Sequence, residues 1–153
     1  MADRSVTTTP AGAVTTTGPV ALVEATATRF LAALVARDLD TVQDLLAPDV
    51  WLRALLTREV AEARDAEAAT LLIGTWFDAP EGRAVRDTAW TVLAAEGIPG
   101  RARIRYLFRL RPTWAPDTWH VIEQTGYLRI GPDGRITRLD LACTGYHAEP
   151  TAA

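Results

Sequence analysis

The sequence predicts an α+β domain: an antiparallel sheet packed on three N-terminal helices. Three observations predict it. Apolar residues recur every three or four positions in the first half, from Leu22 to Val35 and in two shorter stretches that end near Phe77. From residue 84 onward the apolar period falls to two. Two turn segments, Gly97-Ile98-Pro99-Gly100 and Gly131-Pro132-Asp133-Gly134, divide that second half into strands.

Taken in order, residues 1–18 repeat Thr, Ala, Gly and Pro with few large apolar side chains. Such a tail buries too little to offset the entropy of ordering it, so it is expected to be disordered, and residues 148–153 to be flexible. The domain then runs over residues 19–147. In the first helix Leu22, Val23, Ala27, Phe30, Leu31, Leu34 and Val35 share a stripe, with Glu24, Thr28 and Arg29 off it. Asp38 or Asp40 caps a second, short helix carrying Val42, Leu45 and Leu46, which ends at Ala47-Pro48. Residues 50–56 read as a strand. Asp65 caps a third helix over 66–77, with Leu71, Leu72 and Trp76 on one side. Four strands follow at about 84–95, 101–111, 119–130 and 135–146.

Composition narrows the chemistry. All sixteen basic residues are arginine, asparagine is absent, and the one serine, Ser5, lies in the tail. A seryl nucleophile, a Schiff-base lysine and a phosphate-loop lysine are thereby excluded from the domain. A single cysteine, Cys143, rules out an internal disulfide. The net charge of −3 argues against nucleic acid as a partner, and no apolar run is long enough to cross a bilayer. The N-terminus has no secretion-signal pattern, so the expected compartment is the cytoplasm. Acid–base work would fall to Asp, Glu, His, Tyr and Arg.

Strand parity then sorts the candidates. Along 101–111, Ile104, Tyr106, Phe108 and Leu110 alternate with Arg103, Arg105, Arg109 and Arg111, so the arginine row faces outward. The hairpin of the last two strands puts Ile122, Gly126, Leu128, Ile130, Leu139, Leu141 and Cys143 on one inward face, together with His120, Gln124 and His147. A β-bulge would invert part of that assignment. Trp119, Glu123, Tyr127, Arg129, Arg138, Asp140 and Tyr146 take the other face.

Three segments carry a family likeness: Phe30-Leu31-Ala32-Ala33-Leu34-Val35-Ala36-Arg37-Asp38-Leu39-Asp40, Leu46-Ala47-Pro48-Asp49-Val50, and Gly131-Pro132-Asp133-Gly134-Arg135-Ile136-Thr137-Arg138-Leu139-Asp140. In their order and spacing the chain resembles the nuclear transport factor 2-like superfamily, in particular its SnoaL-like (polyketide cyclase-like) small proteins. The resemblance spans nearly everything outside the tails. It implies a cone-shaped curved sheet wrapped around the helices, of cystatin-like architecture, around a deep apolar pocket. It also implies cofactor-free and metal-free acid–base chemistry of the kind found in ketosteroid isomerase, scytalone dehydratase, limonene epoxide hydrolase and polyketide cyclases. Other relatives are non-catalytic binding or dimerisation modules, and the fold alone does not choose between the two.

No segment matches a relative's catalytic motif, so the site residues rest on parity. His120 is the expected proton acceptor, Gln124 the amide that holds a carbonyl or enolate, and Tyr106 a hydroxyl donor. Asp87, mid-strand, is a candidate inward carboxylate. Trp51, Arg53, Trp76, Trp90, Phe108, Cys143 and His147 are candidate pocket-lining residues for an apolar or aromatic ligand. The spacing of His120, Cys143 and His147 has no metal-binding signature, and no metal or cofactor is expected. Trp119, Tyr127, Tyr146 and the outer arginines mark that sheet face for a homodimer.

Overall fold

The structure, a computed structural model, describes residues 19–56, 59–76, 85–98 and 100–149. The expected tail over 1–18 and the last residues, from 150, lie outside them. The described residues form helices α1 (Pro19–Ala36), α2 (Leu39–Leu45) and α3 (Ala66–Gly74), and strands β1 (Leu46–Leu55), β2 (Val60–Ala63), β3 (Val85–Ile98), β4 (Arg101–Pro112), β5 (His120–Ile130) and β6 (Ile136–Ala148). The strands make one curved, unclosed sheet in the order β2-β1-β6-β5-β4-β3. All neighbours are antiparallel except β1 and β6, which run parallel, so the sheet is mixed rather than wholly antiparallel.

Helix α1 ends in a reversal made by two backbone bonds, Arg37 N–H to Leu34 O (3.0 Å) and Asp38 N–H to Ala33 O (2.9 Å). This satisfies the last carbonyls of α1 and puts Arg37 at φ 57°, a left-handed conformation a side chain adopts at a cost. Asp38 then caps α2. Its Oδ1 accepts from Thr41 N–H at 3.0 Å and its Oδ2 from the Thr41 hydroxyl at 2.6 Å. Asp65 caps α3 through Ala68 N–H at 2.7 Å.

The expected stripe of α1 is buried at Val23, Ala27, Phe30, Leu31 and Leu34, whereas Leu22 and Val35 are exposed. Opposite it lie the inward rows of the sheet: Val50, Leu52 and Ala54; Ala102, Ile104 and Tyr106; Leu128; Leu139 and Leu141. Two polar ties fix α1 against the turn end of the sheet. Gly97 N–H donates to Glu24 Oε1 at 3.1 Å, and the Thr26 hydroxyl donates to Gly134 O at 3.2 Å. Gly126 leaves no room for a side chain, since a Cβ there would fall 2.3 Å from Leu141 Cδ2 and 2.8 Å from Asp140 O. Among the described residues no helix is long and apolar enough to cross a membrane.

Candidate functional site

The uninterrupted register of β4 on β5 assembles the inner polar group. Tyr106 lies directly opposite Gln124, and Leu110 opposite His120. Gln124 also lies opposite Cys143 on β6. Tyr106, Gln124 and His120 are all buried, and Cys143 is half-buried against the core. The Tyr106 hydroxyl donates to Gln124 Oε1. Burial drives the Tyr106 hydroxyl far above the ordinary phenol range, with nearby Cys143 adding to the shift, so it stays protonated and remains a donor.

In this arrangement the Tyr106 proton is engaged by Gln124. The bond fixes the oxygen end of the amide and leaves Nε2 as its donor end. Trp76, in the turn after α3, carries a buried donor, its Nε1, with no partner among the described residues. His120 lies four residues from Gln124 on the same face of β5, about 13 Å along the strand. Its ring meets Trp114 edge to face at 5.1 Å and 61°. No carboxylate stands among the described residues of the inward rows, whose buried polar side chains on β5 are His120 and Gln124.

Three expectations are corrected, those for Trp51, Arg53 and His147. Trp51 and Arg53 lie on the outer face, because the inward residues of β1 are Val50, Leu52 and Ala54. The Trp51 ring packs among the guanidinium carbons of Arg64 (3.9 Å), Arg138 (4.0 Å) and Arg53 (5.8 Å), and Arg53 pairs with Glu62 at 3.2 Å. His147 is exposed: an extra residue in β6 between Cys143 and Tyr146 reverses the parity, so His147 stands opposite Val121. Asp87 is the register partner of Arg111, after an irregularity between Val85 and Asp87. Trp90 and Phe108 are register partners of each other in the row parity of Tyr106; their side chains, like that of Asp87, lie outside what is described.

Sequence reasoning missed Trp114, which sits in the β4–β5 connection, where no periodicity reports on orientation. Glu123 and Asp140 lie on the outer face where strand parity put them, each paired with an arginine. Arg105 Nε meets Glu123 at 2.5 Å, which holds the carboxyl below its ordinary range, and Arg138 meets Asp140 at 2.6 and 3.1 Å. Glu123 is thus an outer, paired acid. Among the described residues no group of three His, Cys, Asp or Glu could hold a metal ion.

The sequence matches no protein-family model and no curated protein. Solved structures do match. An NTF2-like protein of unknown function from Mesorhizobium loti superposes with a TM-score of 0.65 at 17% identity, over 84% of this chain and 95% of that one. An LEH-like epoxide hydrolase from Mycobacterium tuberculosis gives 0.59 at 18% identity, over 81% and 84%. A second M. tuberculosis protein, solved in complex with estradiol-17β-hemisuccinate, gives 0.59 at 13% identity, over 78% and 91%. With three helices under a curved, unclosed sheet, and with these likenesses along most of its length, the chain has the nuclear transport factor 2-like fold.

Proposed function

We propose that the protein binds an elongated apolar or polycyclic small molecule between its helices and the inward sheet face, and acts on it by cofactor-free acid–base chemistry of the isomerase, cyclase, dehydratase or hydrolase kind. One observation carries the reading: Gln124 and Tyr106 are two buried polar side chains on the inward face, bonded to each other so that the amide oxygen is held by the Tyr106 hydroxyl. That bond leaves the Nε2 end of the amide as the one that would donate to a ligand carbonyl. His120, about 13 Å along the same row, would take a proton at the ligand's other end. Trp76 and Cys143 would line the space between. The steroid bound to one structural neighbour is an apolar polycycle of the class the reading requires. A homodimer through the outer sheet face and a cytoplasmic setting belong to the same reading.

Titration of the full chain with estradiol, followed by calorimetry, tests it. Gln124→Leu keeps the volume and removes the donor, and is expected to weaken binding roughly tenfold, one hydrogen bond's worth. Unchanged affinity would remove Gln124 from the site. A second reading is a non-catalytic binding module of the same fold, favoured by inward rows that carry no carboxylate among the described residues. Turnover of a steroid or epoxide that is lost in His120→Ala separates the two.

A further inference from the structure

Three arginines stand side by side across the turn end of the outer sheet face. Arg129 on β5 is the register partner of Arg101 on β4 and of Arg138 on β6. Neighbouring strands lie about 4.8 Å apart, so three like charges fall within roughly 10 Å, an arrangement that is destabilising by itself. Elsewhere on this face arginines meet acids: Arg53 with Glu62 at 3.2 Å, Arg103 with Glu96 at 2.5 Å, Arg105 with Glu123 at 2.5 Å. Within the row only Arg138 does, through Asp140 at 2.6 Å. Among the described residues Arg101 and Arg129 have no ion-pair partner.

Between them lies a hollow of about 220 Å³ lined by Arg101, Tyr127, Leu128, Arg129, Arg138 and Asp140. Three arginines against one aspartate leave its wall two positive charges in excess. Tyr127 offers it a ring that is 49% exposed. We propose that this hollow binds a compact dianion of the phosphate-monoester type, its oxygens held by Arg101 and Arg129 and a flat organic group laid on Tyr127. Guanidinium forks match phosphate oxygens two at a time, and two free guanidinium charges call for two negative ones. A long polyanion fits less well, because Glu62, Glu96 and Asp140 lie in the adjoining row and the chain is itself acidic. Within this row a second copy of the chain fits poorly too, since Glu62, Glu96, Glu123 and Asp140 are already paired within their own chain.

Calorimetric titration of the full chain with phenyl phosphate and with inorganic phosphate tests the site, which does not depend on the interior reading. Wild type is expected to bind phenyl phosphate more tightly than inorganic phosphate, and more weakly as salt is raised. R101Q/R129Q is expected to bind both roughly tenfold or more weakly. Without ligand at low salt, R129Q should melt about 1–2 °C above wild type, because the central like charge has gone. Equal binding by wild type and R101Q/R129Q, or no binding of either phosphate, would overturn the proposal. So would a shift of R129Q from dimer to monomer in sedimentation with phosphate affinity unchanged. Equal affinity for the two phosphates would remove Tyr127 from the site.

Discussion

At the scale of single residues, the Tyr106–Gln124 pair decides what the interior is able to do. Two polar side chains stand opposite each other, flanked along their rows by Ile104 on β4 and by Ile122 and Gly126 on β5, and each satisfies part of the other's hydrogen-bonding need. Breaking one side is therefore worse than removing both. Tyr106→Phe leaves the Gln124 oxygen buried without its donor and is expected to cost about 1–3 kcal/mol in denaturant unfolding. Gln124→Leu added to that variant is expected to recover most of the loss, because two apolar groups of similar shape leave nothing unsatisfied. A double-mutant cycle with purely additive losses would show that the two residues do not act as a unit.

At the scale of elements, the α1–α2 joint shows a charge bound to a helix start. The Thr41 hydroxyl, and then the Thr41 backbone N–H, hold the Asp38 carboxyl below its ordinary value of 3.8. A depressed carboxylate stabilises the fold above its unfolded pKa, and that contribution is lost as the pH falls through the folded value. The melting temperature of Asp38→Ala is thus expected to lie below wild type at neutral pH, with the gap closing in acid. A gap that persists unchanged at low pH would assign the effect to something other than the ionised cap. The start of α2 was legible in the sequence because capping is local, an aspartate just ahead of an apolar stripe; the choice of Asp38 over Asp40 came only with the bonds to Thr41. The inward rows of β4 and β5 were legible for the same reason, since alternation over ten or more residues fixes a face. β1 was not. Nothing in residues 50–56 reports that Trp51 is sheathed by Arg64 and Arg138, residues brought there by β2 and by a parallel β6. β2 spans only Val60–Ala63, too few residues for any period to emerge. The extra residue in β6 that turns His147 outward has no local signature either; it becomes visible only when β5 is laid beside it.

At the scale of the whole molecule, the two faces of one sheet have opposite tasks. The inner face is closed by α1, which reaches β3, β4 and β5, and by α3, which reaches β1 and β2, so its apolar rows are hidden within the chain. The outer face has no helix on it among the described residues. There Leu55 and Val60 are register partners across β1 and β2, 55% and 56% exposed, beside the exposed Ala142. These two apolar side chains side by side on an open sheet are where the proposed homodimer would meet. They lie on β1 and β2, four residues along β1 from Trp51 and so about 13 Å from the arginine row. A second copy of the chain could cover them without meeting that row. If it does, Leu55→Glu places a charge in the buried patch and is expected to shift the protein from dimer to monomer in sedimentation velocity. Because Leu55 is exposed within its own chain, the same substitution should change unfolding stability measured on the monomer by no more than about 0.5 kcal/mol. A wild-type chain that sediments as a monomer at every concentration would end the dimer reading, and a Leu55→Glu dimer as strong as wild type would move the contact elsewhere on the sheet.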